Sequence, residues 1–124
     1  MDKQLYEVAI KARENAYAPY SKFKVGAAVR SNDGKIYQGC NIENASYGIS
    51  CCAERVAIFN AISAGAEKII DICIVGDTEK PISPCGSCRQ VIYEFKIENI
   101  YLTNCKGECL KMSYKELLPY AFEL

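Results

Sequence analysis

The 124-residue sequence predicts an α/β fold, specifically a three-layer α/β/α sandwich with a mixed β-sheet. Three observations carry that expectation. Two strand-like runs flank the turn triplet Asn32-Asp33-Gly34, which signals an antiparallel hairpin. Beyond it, strand-like and helix-like segments alternate, and the strands of such a series pair side by side with helices on the sheet's faces. The length suits one hydrophobic core and is too short for two, so residues 1–124 are expected to form a single domain.

The elements follow in order. Residues 3 to 16 place Leu5, Ala9, Ala12 and Ala16 on one helical face, and "APYS" ends that helix at Pro19. "KFKVGAAVRS" and "KIYQGCNI" are the two hairpin strands. Residues 52 to 64 form a helix closed by Gly65 in the position after its end, where a left-handed backbone is wanted. "KIIDICIVG" is a buried strand rich in β-branched residues, followed by a loop from Asp77 to Pro84. "CGSCRQVIYEF" is a helix with Val91, Ile92 and Phe95 turned inward, and "NIYLT" is a further strand. Ser113 and Glu116 have capping-box spacing for a short last helix. The predicted order is α, β, β, α, β, α, β, α.

Composition narrows the function. Fifteen basic residues balance fifteen acidic ones, which speaks against a general nucleic-acid binder needing a basic excess. No apolar run approaches the roughly 18 residues of a membrane span, and the charges throughout "MDKQLYEVAIKARENAYAPY" are unlike a signal peptide. A cytoplasmic location is therefore expected, where thiols stay reduced. Eight cysteines in that setting point to metal ligation and small-residue packing rather than to a disulfide framework. The chain has no histidine. A metal site must then use thiolates and carboxylates, and an acid or base near neutrality must be a tuned carboxylate, thiol or lysine.

"SPCGSCRQ" sets Cys85 and Cys88 at C-x-x-C spacing on the start of one predicted helix, and Cys51 and Cys52 begin another. Unpaired N–H groups and the helix dipole favour the thiolate there. Two such helix starts facing each other offer three thiolates to one zinc ion and leave a fourth position for water, the mark of a catalytic rather than structural zinc. Glu54, still in the first turn, can approach that open position and carry protons. Arg55 supplies a cation beside a site whose three thiolates outweigh Zn²⁺ by one charge.

A rival zinc reading uses Cys85, Cys88, Cys105 and Cys109, spaced C-x2-C-x16-C-x3-C like a structural four-thiolate ribbon. It leaves Cys52, Glu54 and "NIEN" without a purpose. Cys40, Cys73, Cys105 and Cys109 are otherwise expected as packing or surface thiols, with Cys73 in the core. Taken singly, Phe23 is a core aromatic, Asn41 and Glu43 are turn residues, and Arg55 is a solvated, salt-bridged helix residue.

In combination these segments resemble a known family. "C-A-E" at Cys52 followed 33 positions later by "P-C-x-x-C" is similar to the zinc-dependent cytidine deaminases. "YAPYSKFKVGAA", "GCNIENASYG", "SPCGSCRQVIYEF" and "ELLPYAF" extend the likeness over nearly the whole chain. The resemblance is greatest to the small homotetrameric enzymes of pyrimidine salvage. It implies one Zn²⁺ per subunit held by Cys52, Cys85 and Cys88, with Glu54 as proton shuttle. It implies that Asn41 and Glu43 bind the ribose hydroxyl and that Phe23 stacks on the pyrimidine. It further implies that Ala45 and Tyr47 reach a neighbouring subunit's site and that Phe122 closes the pocket. Arg55 and Gln90 would stand behind the cysteine ligands. Cys51 departs from the family's pattern, yet only Cys52 is expected to reach the metal. The implied reaction is hydrolytic deamination of cytidine and deoxycytidine, giving uridine or deoxyuridine and ammonia. An aminated nucleoside antibiotic or cytosine in a polynucleotide would be an alternative substrate, but "NIEN" favours a free ribose and zero net charge disfavours a polynucleotide.

Overall fold

The computed structural model describes residues 1–124, and its sheet grows outward from the predicted hairpin. Strand β1 (Val25–Ser31) pairs antiparallel with β2 (Ile36–Cys40), from Gly26 opposite Cys40 to Arg30 opposite Ile36. Gly34 takes the turn at φ +89°, a conformation that costs a residue with a Cβ but not glycine. On its other side β1 pairs antiparallel with β3 (Ile69–Gly76). Strand β4 (Asn99–Asn104) joins β3 in parallel, and β5 (Cys109–Met112) closes the edge antiparallel to β4. The order β2-β1-β3-β4-β5 is therefore a mixed five-stranded sheet.

Helix α1 (Lys3–Arg13) covers one face, where Leu5 and Ala9 meet Ala28, Cys73 and Val75. The opposite face carries α2 (Ala53–Ser63), α3 (Gly86–Glu94) and the single turn α4 (Tyr114–Leu117). There Ala53, Ala57, Ile58, Ile92 and Leu117 pack on Val29, Ile72, Ile74 and Ile100. Alternation along β3 explains both layers: Ile72 and Ile74 face one side, Cys73 and Val75 the other. Each fully buried isoleucine is worth about 1.5–3 kcal/mol relative to exposure. The predicted sandwich is the observed one, and Cys73 is fully buried as expected.

Two details fix the helices that matter for the site. A Cβ on Gly39 would lie 2.4 Å from the Ala57 backbone nitrogen, so glycine lets α2 settle directly on β2. Gly65 follows α2 at φ +95°, the expected end signal. At the other layer, Asp2 caps α1 by accepting the Leu5 N–H at 3.0 Å, and Arg30 links Asp2 to Asp71 of β3.

The structure differs from expectation in three places. Helix α1 ends at Arg13, not residue 16: the chain turns away so that Tyr17 can bridge to Ile42. Tyr47–Ile49 form a 3-10 turn that no periodicity announces. Strand β5 departs from the expected order: it is only four residues long and three of them are exposed, too short and too solvated to give a strand signal. Ser113 and Glu116 do form the reciprocal capping box of α4. No helix is long and apolar enough to cross a membrane.

Candidate active site

Cys52 and Cys85 occupy the N-cap positions of α2 and α3, yet neither sulfur caps its helix. A serine, threonine or aspartate there would stabilise each helix by about 0.5–2 kcal/mol. Both helices forgo that bond and keep a thiol free. The chain before α2 is held by reciprocal backbone bonds between Ile42 and Cys51, each 2.9 Å. The chain before α3 is held by Arg89, whose Nε donates to the Pro84 carbonyl at 2.9 Å.

These two anchored helix starts converge. The sulfurs of Cys52, Cys85 and Cys88 all lie within 4.8 Å of one another, and Cys52 and Cys85 are 3.8 Å apart. Zn–S arms of about 2.3 Å at tetrahedral angles put sulfurs about 3.8 Å apart, so the spacing fits a zinc ion. No other group of three or more cysteines and carboxylates is placed to hold a metal. Cys51 stays outside it, as expected. Cys105 and Cys109 sit exposed around the β4–β5 turn, away from Cys85 and Cys88, which removes the four-thiolate ribbon.

The electrostatics fit the same donor set. Hydrogen bonding from Cys88, with help from Arg55 and Cys85, pulls the Cys52 thiol down to about 5. The partner thiolate pushes Cys88 upward, and burial adds to it. Cys88 thus resists ionising beside the Cys52 thiolate. Arg55 Nη2 lies 3.5 Å from the Cys52 sulfur, and sulfur contacts hold the guanidinium firmly charged. Arg55 pairs with no carboxylate, and its Nε is buried without a partner. Its charge sits against the Cys52 and Cys88 thiols, with the Glu54 carboxyl also within its field.

Glu54 lies beside this cluster, only 4% exposed. Burial pushes its carboxyl up to about 7. A group poised there both accepts and donates protons near neutrality. Glu54, Cys52 and Cys85 line one cleft of about 220 Å³ together with Phe23, Asn41 and Glu43.

Comparison with known proteins decides the family. Residues 1–104 match the family described as the cytidine and deoxycytidylate deaminase zinc-binding region. The chain belongs to this deaminase family.

Its relatives agree over most of their lengths. A cytidine deaminase of Sporosarcina psychrophila is 54% identical, over 90% of this chain and 84% of that protein. One from Halalkalibacterium halodurans is 50% identical, over 98% and 95% respectively. The crystal structure of cytidine deaminase from Burkholderia pseudomallei superposes with a TM-score of 0.95 at 51% identity, covering 98% of this chain and 99% of that one.

Within the deaminase fold the remaining residues fall into two groups. Asn41 and Glu43 reach the cleft, but both are partly engaged. Asn41 Oδ1 accepts the Val25 N–H and its Nδ2 donates to the Phe23 carbonyl, each 2.8 Å. Glu43 accepts the Tyr20 and Ser21 N–H groups at 3.0 Å. Ala45, Tyr47 and Phe122 do not line this cleft. Ala45 is exposed, Tyr47 packs edge-on against Tyr20 at 6.2 Å, and Phe122 is 68% exposed beside Tyr93. Gln90 donates to the Phe122 carbonyl at 3.1 Å, so its amide tethers the C-terminal tail rather than a sulfur. Ser21, Ile82 and Ser83 also line the cleft and escaped the sequence reading. Their only signal was adjacency, Ser21 to Phe23 and the Ile82-Ser83 pair to "PCGSC".

Proposed function

We propose that residues 1–124 act as a single-domain cytidine deaminase that hydrolyses cytidine and deoxycytidine to uridine and deoxyuridine with release of ammonia. One observation carries this reading: a three-sulfur cluster and a buried carboxyl held near neutrality share a cleft with Asn41 and Glu43. Zinc bound by Cys52, Cys85 and Cys88 would supply Lewis acidity and make water nucleophilic at neutral pH. The protein's own residues do the rest. Phe23 presents its ring to the pyrimidine, and Glu43 accepts from a sugar hydroxyl while Asn41 offers its spare amide proton. Glu54 takes a proton from the attacking water and delivers it to N3. It then takes the proton of the new C4 hydroxyl and passes it to the amino group, so that the C4–N bond breaks and ammonia departs as the carbonyl of uridine forms. Arg55 draws negative charge from the thiolates and keeps the site a competent acid.

The same reading places the chain in a homotetramer with shared sites. A cleft of about 220 Å³ is below the roughly 300 Å³ at which ligand pockets usually begin. Tyr17, Ile42, Tyr47 and Ile49 are exposed, Ile42 lying between the cleft residues Asn41 and Glu43, and Tyr120, Phe122 and Leu124 are exposed on the tail. Ala45, Tyr47 and Phe122 from neighbouring copies would complete the pocket. Pyrimidine salvage in the cytoplasm is the corresponding role, where reduced thiols keep the metal.

Zinc stoichiometry and cytidine turnover measured on one preparation test the proposal. One zinc per chain with ultraviolet loss of cytidine supports it, and Glu54→Gln should retain zinc while losing nearly all turnover. A preparation with full zinc that leaves cytidine and deoxycytidine unchanged refutes it. Light scattering tests the assembly: a fully active monomer excludes shared sites.

A further inference from the structure

The carboxylate of Glu43 is almost fully committed before any ligand arrives. Its Oε1 accepts two backbone N–H groups, from Tyr20 and Ser21, each at 3.0 Å. Its Oε2 accepts the Ser21 hydroxyl. Of about four acceptor positions on an ionised carboxylate, three are taken. The Ser21 oxygen in turn accepts the Phe23 N–H at 3.0 Å, so its single proton is directed to Glu43. The loop is shaped for this: Lys22, between them, adopts φ +60° and donates its N–H to the Ala18 carbonyl at 3.0 Å. Ser21 itself lines the cleft.

We infer that Ser21 is a positioning residue for sugar recognition, holding Glu43 so that its one remaining acceptor site faces a ring hydroxyl of the nucleoside. This rests on the reading that Glu43 binds the sugar. The arrangement is selective because a carboxylate with a single open site on Oε2 accepts one donor and cannot turn to satisfy another geometry. The Ser21 contact also heads the causes that hold the Glu43 carboxyl below its ordinary range, which keeps it an acceptor. Phe23 does not depend on Ser21 alone: its carbonyl is held by Asn41 Nδ2 and its strand by the Val25 N–H to Asn41 Oδ1. Loss of the Ser21 hydroxyl should therefore reach the sugar and leave the base contact in place.

The test uses the zinc-loaded enzyme and its Ser21→Ala and Ser21→Thr variants, with cytidine as substrate and 2′,3′-dideoxycytidine, which lacks both ring hydroxyls, as competitor. Ser21→Ala should raise KM for cytidine about five- to tenfold, the scale of one ordinary intramolecular hydrogen bond, with kcat within about twofold. Ser21→Thr, which keeps the hydroxyl, should restore KM to within about threefold of wild type. The inhibition constant of the dideoxynucleoside should stay within about twofold in all three proteins. Equal weakening of cytidine and dideoxycytidine by Ser21→Ala overturns the inference and marks the serine as a general support of the loop. So does an unchanged KM. A wild-type enzyme that binds the two nucleosides equally would instead overturn the sugar-binding reading of Glu43 itself.

Discussion

The guanidinium of Arg55 stands 3.5 Å from the sulfur of Cys52, one turn into the helix that Cys52 begins. It forms no ion pair with a carboxylate, and the largest influences on its charge are the Cys52 and Cys88 thiols. Three thiolates on Zn²⁺ carry an excess negative charge that weakens the metal as a Lewis acid. Arg55→Ala should therefore lower kcat at least about tenfold, or roughly 1.4 kcal/mol, with KM within about threefold. Zinc analysis alongside steady-state kinetics checks this. A zinc-loaded variant with wild-type kcat would remove Arg55 from the reaction.

Gly76, at the end of β3, sets the width of the cleft. A Cβ there would come 2.7 Å from the Ile82 Cδ1 and 3.2 Å from the Phe23 Cζ. Both atoms are side-chain ends, so the fold can yield where the substrate must fit. Gly76→Ala should stay folded, with Tm lowered by a few degrees, yet raise KM for cytidine by about fivefold or more. The contrasting case is Gly39→Ala, whose Cβ meets backbone of α2 at 2.4 and 2.6 Å and should destabilise the protein outright. Thermal melts and KM on both variants separate the two effects.

Cys73 provides a pH signature of the core. Burial pushes its thiol from 9.0 up to about 12. Because the folded state holds the proton more tightly than the unfolded chain, the stabilisation is complete below pH 9 and is lost as pH rises through about 12. Three pH units correspond to at most about 4 kcal/mol, at about 1.4 kcal/mol per unit. Urea melts between pH 8 and 11 should show wild type losing stability faster than Cys73→Ala. Parallel curves would show that the thiol does not carry alkaline unfolding.

The parts of the molecule that sequence revealed are those where local chemistry and final structure agree. Asn32-Asp33-Gly34 turns the hairpin, Gly65 stops α2, and the alternation in "DICIV" divides the two layers. The three cysteines stood out because thiols at two helix starts are a rare pattern with few uses. What stayed hidden depends on distant partners. The last turn of the predicted first helix is periodic but yields to the Tyr17–Ile42 bridge. Strand β5 buries almost nothing, so its pairing with β4 leaves no trace in hydropathy. Ser21, Ile82 and Ser83 are ordinary loop residues whose place in the cleft is set by Glu43, Gly76 and Arg89.

Arg89 ties the second helix start to the end of the chain. Its Nε donates to the Pro84 carbonyl at 2.9 Å, its Nη1 to the Leu117 carbonyl at 2.8 Å, and its Nη2 to the Ser83 hydroxyl. One planar fork thus fixes the peptide immediately before Cys85 and packs α4 against α3. Arg89→Ala leaves these acceptors without a donor and should cost about 2–4 kcal/mol of stability. It should also speed zinc loss to a chelator, because Cys85 would no longer be held toward Cys52 and Cys88. Arg89→Lys should recover less than half of either loss, since a single ammonium cannot span three acceptors set by a guanidinium. Melting temperature and the rate of zinc release to a colorimetric chelator measure the two consequences separately. If Arg89→Ala melts earlier but releases zinc at the wild-type rate, the arginine supports the tail and not the metal site.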